Sequence, residues 1–206
     1  MVQRYELRGR IAATGFASGD RVVIGMWDAS PIGPFADVMW AEPDGTRVLH
    51  ASPRAAAFIT AVYKFDRVVD HEVVATFDGR TIRVNVGEFE LALTGGVAVA
   101  FPPRPAWVTR HVEAPLARRL MAVETFGTSP TGVDEWYRAR SVRRVRSVSV
   151  RGPRDLGPMA SLEEPCRFGF SEPPRFASIT EVRPLLEDRS GRLAAVVGAL
   201  VAGSAP

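Results

Sequence analysis

The β character of this chain is plainest in the stretch Ser30-Pro31-Ile32-Gly33-Pro34-Phe35-Ala36-Asp37-Val38-Met39-Trp40, where a turn leads directly into a strand. Two prolines and a glycine at its start are typical of a tight turn. The residues that follow are apolar apart from a single carboxylate, so Asp37 is predicted to sit on a largely buried strand. A carboxylate in such a setting is a candidate ligand-binding or proton-transfer group.

Hairpins are predicted around this strand and further along the chain. Residues 37–41 are expected to pair with residues 46–50 across the Pro43-Asp44-Gly45 turn. The Asp78-Gly79 turn joins a second hairpin, in which residues 81–86 alternate apolar and polar side chains. Further strands are expected over residues 21–27, 89–93, 135–142, 145–150, 167–170 and 177–182.

Helices are predicted at three places. Ser52 is suited to cap a helix that has Pro53 in its first turn and runs to about Tyr63. Residues 113–123 carry an apolar stripe at helical spacing. Residues 193–202 are apolar throughout, but they amount to about half the ~20 residues that a membrane-spanning helix needs.

These elements predict a mainly β (α+β) fold. About ten short strands with few helices are typical of an antiparallel barrel or sandwich. We expect a single antiparallel β-barrel with two or three short helices. Residues 1–190 would form one barrel domain, and residues 191–206 an apolar C-terminal helix or tail.

Composition excludes several classes of protein. The chain has 206 residues and a formal net charge of +3, which is too small for a strongly basic nucleic-acid-binding surface. Its single cysteine, Cys166, allows no internal disulfide and no structural zinc site of paired cysteines. Its first residues lack the apolar core of a signal peptide. A cytoplasmic location without a membrane anchor is therefore expected.

Common cofactor and metal motifs are absent from the sequence. There is no phosphate-binding GxxxxGK[ST] loop, no GxGxxG turn, no HExxH pair and no GxSxG elbow. His111-Val112-Glu113 has the HxE form of zinc deaminases, but Cys166 lacks the second cysteine of such a site. No cofactor and no metal site are expected.

Histidine chemistry is restricted to three residues, of which His50 is the best placed. It ends the strand expected to pair with that of Asp37, so the carboxylate could orient its imidazole as a general base. The alternative is a partly exposed strand-end histidine without a catalytic role. Trp40 is a candidate lining residue of a ligand cavity.

Arginines cluster in the second half of the chain. Arg138 and Arg140 share one face of a predicted strand and are candidate partners for an anionic ligand. The apolar alternation slips at Arg143-Arg144, which predicts a β-bulge. The alternative is a solvated face paired with acids such as Glu88 and Glu90. The whole cluster comprises Arg138, Arg140, Arg143, Arg144, Arg146, Arg151 and Arg154.

The turn before Asp37 resembles a known pattern. Residues 31–37 are similar to the P-x-G-P-aromatic-x-acid segment of the acetoacetate decarboxylase-like superfamily. This resemblance implies a β-barrel with a ligand cavity and an acid on a cavity-facing strand. Longer stretches, residues 30–41, 126–133 and 168–174, resemble uncharacterised proteins of high-GC actinobacteria, and that likeness implies no function.

The reaction of that superfamily requires a lysine amine that forms a Schiff base with a keto acid. Lys64 is the only lysine of the chain and is therefore the candidate. It lacks the adjacent second lysine of the superfamily pattern, so the resemblance leaves open whether the chain is an enzyme. The alternative is a lysine at the end of a helix.

The function expected from the sequence is the binding of a small apolar or carboxylate-bearing molecule in a barrel cavity. Asp37, His50 and Trp40 would line its mouth, and an arginine would pair with an anionic group. An interaction protein that uses its arginine-rich strand face for nucleic acid or an acidic partner is the alternative. The sequence leaves the ligand and the oligomeric state open.

Overall fold

A computed structural model describes residues 2–101, 126–169 and 172–203. The helix expected over residues 113–123 lies outside this part of the chain. The described strands and helices are β1 (Gln3–Glu6), β2 (Arg8–Phe16), β3 (Arg21–Ala29), β4 (Phe35–Ala41), β5 (Arg47–Ala51), α1 (Pro53–Thr60), β6 (Arg67–Asp70), β7 (Val74–Phe77), β8 (Thr81–Val86), β9 (Phe89–Ala100), β10 (Phe126–Thr128), β11 (Val133–Trp136), β12 (Ala139–Arg151), β13 (Met159–Ala160), β14 (Ser178–Val182), β15 (Leu185–Asp188) and α2 (Arg192–Val201).

The strands form two sheets rather than one closed barrel. The larger sheet has the order β6-β5-β4-β3-β2-β14-β12-β9-β8-β7, with β13 also paired to β2. The smaller sheet has the order β1-β15-β11-β10. The prediction of a mainly β fold is confirmed, but the prediction of a single barrel is wrong: the large sheet is a curled half-barrel. Four strands that a single barrel would include instead pair with one another in the second sheet.

The large sheet curls around a packed apolar core. The rings of Trp40 on β4 and Phe89 on β9 have centroids 5.0 Å apart, although four strands separate β4 from β9 in the sheet. This contact is possible only if the sheet bends until its two halves face each other. The inner core includes Val22, Ile24, Val38, Trp40, Ile82, Val84, Leu91 and Leu93.

A second core covers the outer face of the same sheet. Side chains alternate between the two faces of a strand, so Asp37, Met39 and Ala41 point away from the inner core. Helices α1 and α2 and the small sheet pack against this outer face. Their contributions include Phe58, Ile59, Val133, Leu186, Leu193 and Leu200.

Helix α1 confirms the capping prediction but ends early. The Ser52 side chain accepts a hydrogen bond from the backbone N–H of Ala55, and Pro53 occupies the first turn. The helix ends at Thr60, so Tyr63 lies beyond it. Helix α2 confirms that the C-terminal apolar run is helical and packs through Leu193 and Leu200. No helix in the described residues is long and apolar enough to cross a membrane.

Most strand predictions are confirmed, one is wrong, and one long strand is not predicted. The two hairpins form, and the register of β12 against β9 shifts between Arg143 and Val145, as the predicted bulge requires. The strand expected from Arg167 does not form, because Arg167 has a positive φ of 57° and lies in an irregular loop. Strand β2 was missed because its glycines resemble loop residues. A Cβ at Gly9 would lie 2.1 Å from the Met26 carbonyl oxygen, so the close strand approach itself demands glycine.

Candidate functional site

A cavity of about 150 Å³ lies on the outer face of the large sheet. It is bounded by strands β2, β3, β4 and β14, by the residues after α1, and by the loop around Phe168 and Gly169. The sequence predicted a cavity inside a barrel, but the inner side of the curled sheet is filled by apolar side chains. An engineered cavity of about this volume in another protein holds a benzene ring.

Asp37 is fully buried in the cavity wall. Its Oδ1 accepts a hydrogen bond of 3.0 Å from the indole N–H of Trp27. Its Oδ2 is buried and has no hydrogen-bond partner among the described residues. Burial raises the pKa of Asp37 to about 7, against a smaller opposing effect of the Trp27 hydrogen bond. The sequence predicted a site residue here, and the structure places it in a cavity.

Gly25 makes room for the Asp37 carboxylate. It lies opposite Asp37 in the β3–β4 register, on the same face of the sheet. A Cβ at Gly25 would lie 2.3 Å from Asp37 Oδ1 and 2.7 Å from Trp27 Nε1. The Trp27–Asp37 hydrogen bond therefore requires glycine at this position.

Gly25→Ala is expected to break the Trp27–Asp37 hydrogen bond and to lower the free energy of unfolding by about 1–3 kcal/mol, as overpacked sites do. Denaturant unfolding measures the loss, and near-UV circular dichroism reports the altered Trp27 environment. Gly198→Ala in α2 is the matched control, because a Cβ there meets nothing within 4 Å. An unchanged stability of Gly25→Ala would contradict the packing described here.

A second buried carboxyl group faces the cavity from the small sheet. Glu135 on β11 accepts a hydrogen bond of 2.6 Å from the Tyr63 hydroxyl. Burial raises the pKa of Glu135 to about 7, and the Tyr63 hydrogen bond opposes this. The pKa of Tyr63 is well above its ordinary value, because of its burial and then because of the nearby Glu135 and Asp37. Tyr63 therefore lies within electrostatic reach of both carboxyl groups.

Sequence reasoning missed both Glu135 and Tyr63. In the sequence, Glu135 begins an expected strand directly after Asp134, and Tyr63 ends an expected helix, so neither position is marked as a site. Tyr137 was also missed as a wall residue; burial raises its pKa, and its hydroxyl interacts with Thr180. No local signal distinguishes these residues, because the segments that carry them meet only in the tertiary structure.

The loop after Cys166 closes one side of the cavity. A Cβ at Gly169 would lie 2.6 Å from the Tyr63 ring, so this loop runs directly over that ring. The Glu172 carboxylate accepts hydrogen bonds from the backbone N–H groups of Cys166 (2.6 Å) and Arg167 (2.8 Å). Glu172 thus lines the cavity, and its hydrogen bonds to Cys166 and Arg167 fix the start of the loop that forms this side of the wall.

Trp40 and His50 do not join Asp37. Trp40 lies three residues from Asp37 on β4, and His50 pairs with Val38, so both belong to the inner side of the sheet. The His50 ring stacks on His71, with Nδ1 and Nε2 3.2 Å apart. The pKa of His50 is lowered to about 4, mainly because its ring is buried and secondly because of the electrostatic effect of His71. The expected Asp37–His50 pair is therefore corrected: the sheet separates the two side chains.

Lys64 also lies outside the cavity wall. It is exposed, and its backbone N–H donates to the Phe168 carbonyl at 3.4 Å. The preceding residue, Tyr63, occupies the cavity instead. A Schiff-base role for Lys64 thus has no support from the geometry, because Lys64 is exposed and is not among the described residues that line the cavity.

The expected arginine partners of an anion are absent from the described cavity wall. Tyr137 and Ala139 line the cavity, whereas the alternating residues Arg138 and Arg140 do not. The Arg140 Nε atom is buried without a partner among the described residues. The ionisable side chains of the described wall are Asp37, Glu135, Glu172, Tyr63 and Tyr137.

Neither a metal-binding arrangement of side chains nor a similarity to known proteins assigns a function to this site. Within residues 2–101, 126–169 and 172–203, no group of three or more histidine, cysteine, aspartate or glutamate side chains is placed to hold a metal ion. Compared with protein families and with curated proteins, the chain matches no family model and no curated protein.

Proposed function

We propose that this protein binds a small, mainly apolar molecule in the outer-face cavity, with one polar group of that molecule at Asp37. The observation that carries the proposal is Asp37 Oδ2, a fully buried oxygen without a partner among the described residues, in the wall of that cavity. A bound molecule with a hydrogen-bond donor would satisfy this oxygen.

Asp37 lowers the stability of the folded protein when no ligand is bound. An unpaired buried polar group costs about 1–3 kcal/mol, and packing alone would be served better by an apolar side chain. Buried polar groups that stability does not explain occur at functional sites. The cost is offset when a ligand supplies the missing partner.

The rest of the wall suits an apolar body. Ile11, Val23 and Met39 come from the sheet, and Phe168 comes from the closing loop. Such side chains favour a ligand by excluding water and by dispersion contacts. The volume of about 150 Å³ suits a single ring or a short branched chain.

Acid–base chemistry on the bound molecule is compatible with this proposal. A carboxyl group with a pKa of about 7 accepts or donates a proton at neutral pH. Tyr63 and Glu135 add a second hydrogen-bonded pair to the same cavity. Binding is the minimal function, and proton transfer would build on it.

The arginine-rich surface is the weaker candidate. Arg154 is paired with Asp20, the Arg143 side chain donates to the Gly96 carbonyl, and Arg151 lies 3.9 Å from Glu90. Three of the clustered arginines are thus already engaged. The cavity combines an enclosed volume with Asp37 Oδ2, a carboxyl oxygen without a partner among the described residues.

The cavity can be tested with a single-ring probe. We expect benzyl alcohol to raise the melting temperature saturably, because it binds the folded state. Val23→Phe should abolish this shift by filling the cavity. Val97→Phe is the matched control, since Val97 is 85% exposed on β9. A shift that survives Val23→Phe would overturn the proposal, and so would the absence of saturable binding by benzyl alcohol and by its charged analogues benzylamine and benzoate.

A further inference from the structure

We infer that the polar group taken up by this cavity is a protonated amine, so that the ligand is a monocation with an apolar body about the size of one ring. This inference rests on the proposed function and specifies its ligand class. It is carried by the chemistry of the cavity wall.

Acidic side chains outnumber basic ones in the described wall. Its carboxyl groups are Asp37, Glu135 and Glu172, and none of the described lining residues is arginine, lysine or histidine. The described partner of Asp37 is the neutral indole N–H of Trp27. Above pH 7, where Asp37 ionises, a carboxylate or phosphate ligand would face a like charge in a medium of low dielectric constant, which is strongly unfavourable.

An ammonium group supplies what Asp37 lacks. It brings a positive charge and N–H donors to Oδ2, while Trp27 continues to hold Oδ1. Charge-assisted hydrogen bonds of this kind are about twice as strong as neutral ones. An alcohol would fill the same place with a single neutral hydrogen bond, so the cavity should prefer the amine.

Aromatic side chains of the wall also favour a cation. Trp27, Tyr63, Tyr137 and Phe168 line the cavity together with Asp37. The negative face of an aromatic ring attracts ammonium groups, most strongly where water is excluded. A wall of rings and carboxyl groups therefore suits a cationic head, and its aliphatic side chains suit the apolar body.

Binding of an ammonium ion should displace a proton. Asp37 is neutral in the free protein below pH 7 and must ionise to pair with the ligand. The groups that face it from the packed elements are Tyr63 after α1, Glu135 on β11, Tyr137 before β12 and Glu172 in the closing loop. We expect affinity for an amine to fall up to tenfold per pH unit below pH 7, and more steeply if Glu135 ionises as well.

The experiment is calorimetry of the full chain at pH 7.5 with benzylamine, benzyl alcohol and benzoate, which share a ring and differ in charge. Benzylamine is expected to bind at least tenfold more tightly than benzyl alcohol, and benzoate to bind weakest. Asp37→Asn keeps the size of the side chain and an acceptor for Trp27, and it should abolish the preference for the amine. Glu90→Gln on β9, an exposed acid outside the cavity, should retain that preference.

The outcomes separate the two proposals. If benzyl alcohol binds in the cavity and benzylamine binds no more tightly, the amine inference fails and the proposed function stands. Tightest binding by benzoate would also overturn the amine inference. If none of the three probes binds saturably, the proposed function fails, and the inference fails with it. Near-UV circular dichroism of Asp37→Asn verifies that a lost preference does not reflect unfolding.

Discussion

Asp37→Asn is expected to raise the free energy of unfolding at pH 8 by at most about 4 kcal/mol. At pH 3 the same substitution should leave the free energy of unfolding nearly unchanged. The pKa of Asp37 rises from 3.8 to about 7 on folding, because burial disfavours the charged form. Below pH 3.8 the group is neutral in both states. Between pH 3.8 and 7 only the unfolded chain ionises, so stability is lost as pH rises, and above pH 7 the whole loss is present.

Denaturant unfolding of both proteins from pH 3 to pH 8 measures this difference. The amide replaces one unpartnered polar group with another, so the comparison isolates the charge. Asp66→Asn is the control, and its stability at pH 8 should change in the opposite direction. Hydrogen bonds from Arg47 lower the pKa of Asp66 to about 2, so replacing this carboxylate should lower the free energy of unfolding at pH 8. Equal stability of Asp37→Asn and wild type at pH 8 would contradict the buried position of this carboxyl group.

The same residue links stability to function. If Asp37→Asn is more stable than the wild type and loses the preference for an amine, then Asp37 lowers the stability of the fold and is needed for ligand binding. Residues with that property are a recurrent feature of binding and catalytic sites.

Asp20→Ala is expected to lower the free energy of unfolding by about 3 kcal/mol. Asp20 is fully buried and accepts hydrogen bonds from Arg154 (2.8 and 2.6 Å), from the Trp40 indole N–H (2.7 Å) and from Ser18 (2.6 Å). Burial raises its pKa, but these hydrogen bonds outweigh burial and hold the pKa below its ordinary value. Its removal leaves the buried Trp40 N–H at the inner core without an acceptor.

Arg154→Met separates the contribution of the Asp20–Arg154 ion pair from that of the Asp20–Trp40 hydrogen bond. The Arg154 side chain is 45% exposed, and its removal leaves the Trp40 indole N–H hydrogen-bonded to Asp20. We expect a smaller loss for Arg154→Met than for Asp20→Ala. A double-mutant cycle should show coupling between the two residues. A loss below about 1 kcal/mol for Asp20→Ala would show that the Trp40 hydrogen bond contributes little.

Local patterns were sufficient for much of the fold. The Pro43-Asp44-Gly45 and Asp78-Gly79 turns predict the hairpins that form, and Ser52 and Pro53 predict the start of α1. The slip in alternation at Arg143-Arg144 predicts the register shift in β12. Each of these features is a relation between residues close in sequence, which is why sequence patterns reveal it.

The site was predictable only in part. Asp37 stands out as an acid on an apolar strand, and strand alternation alone separates it from Trp40. The position of His50 on the other side of the sheet depends on the register of β5, which pairs it with Val38. Glu135 and Tyr63 are 72 positions apart in sequence, so no local pattern predicts their hydrogen bond.

The amino-acid sequence by itself determined most of the longer strands, the main turns, the start of the capped helix and the burial of an acid on β4. Only the tertiary structure decided that the sheet curls into a half-barrel, and that the second sheet, the residues after α1 and the loop around Phe168 enclose a cavity on its outer face. The physical reason is that alternation specifies which side chains share a face of a strand, whereas the burial of that face depends on which distant segments pack against it.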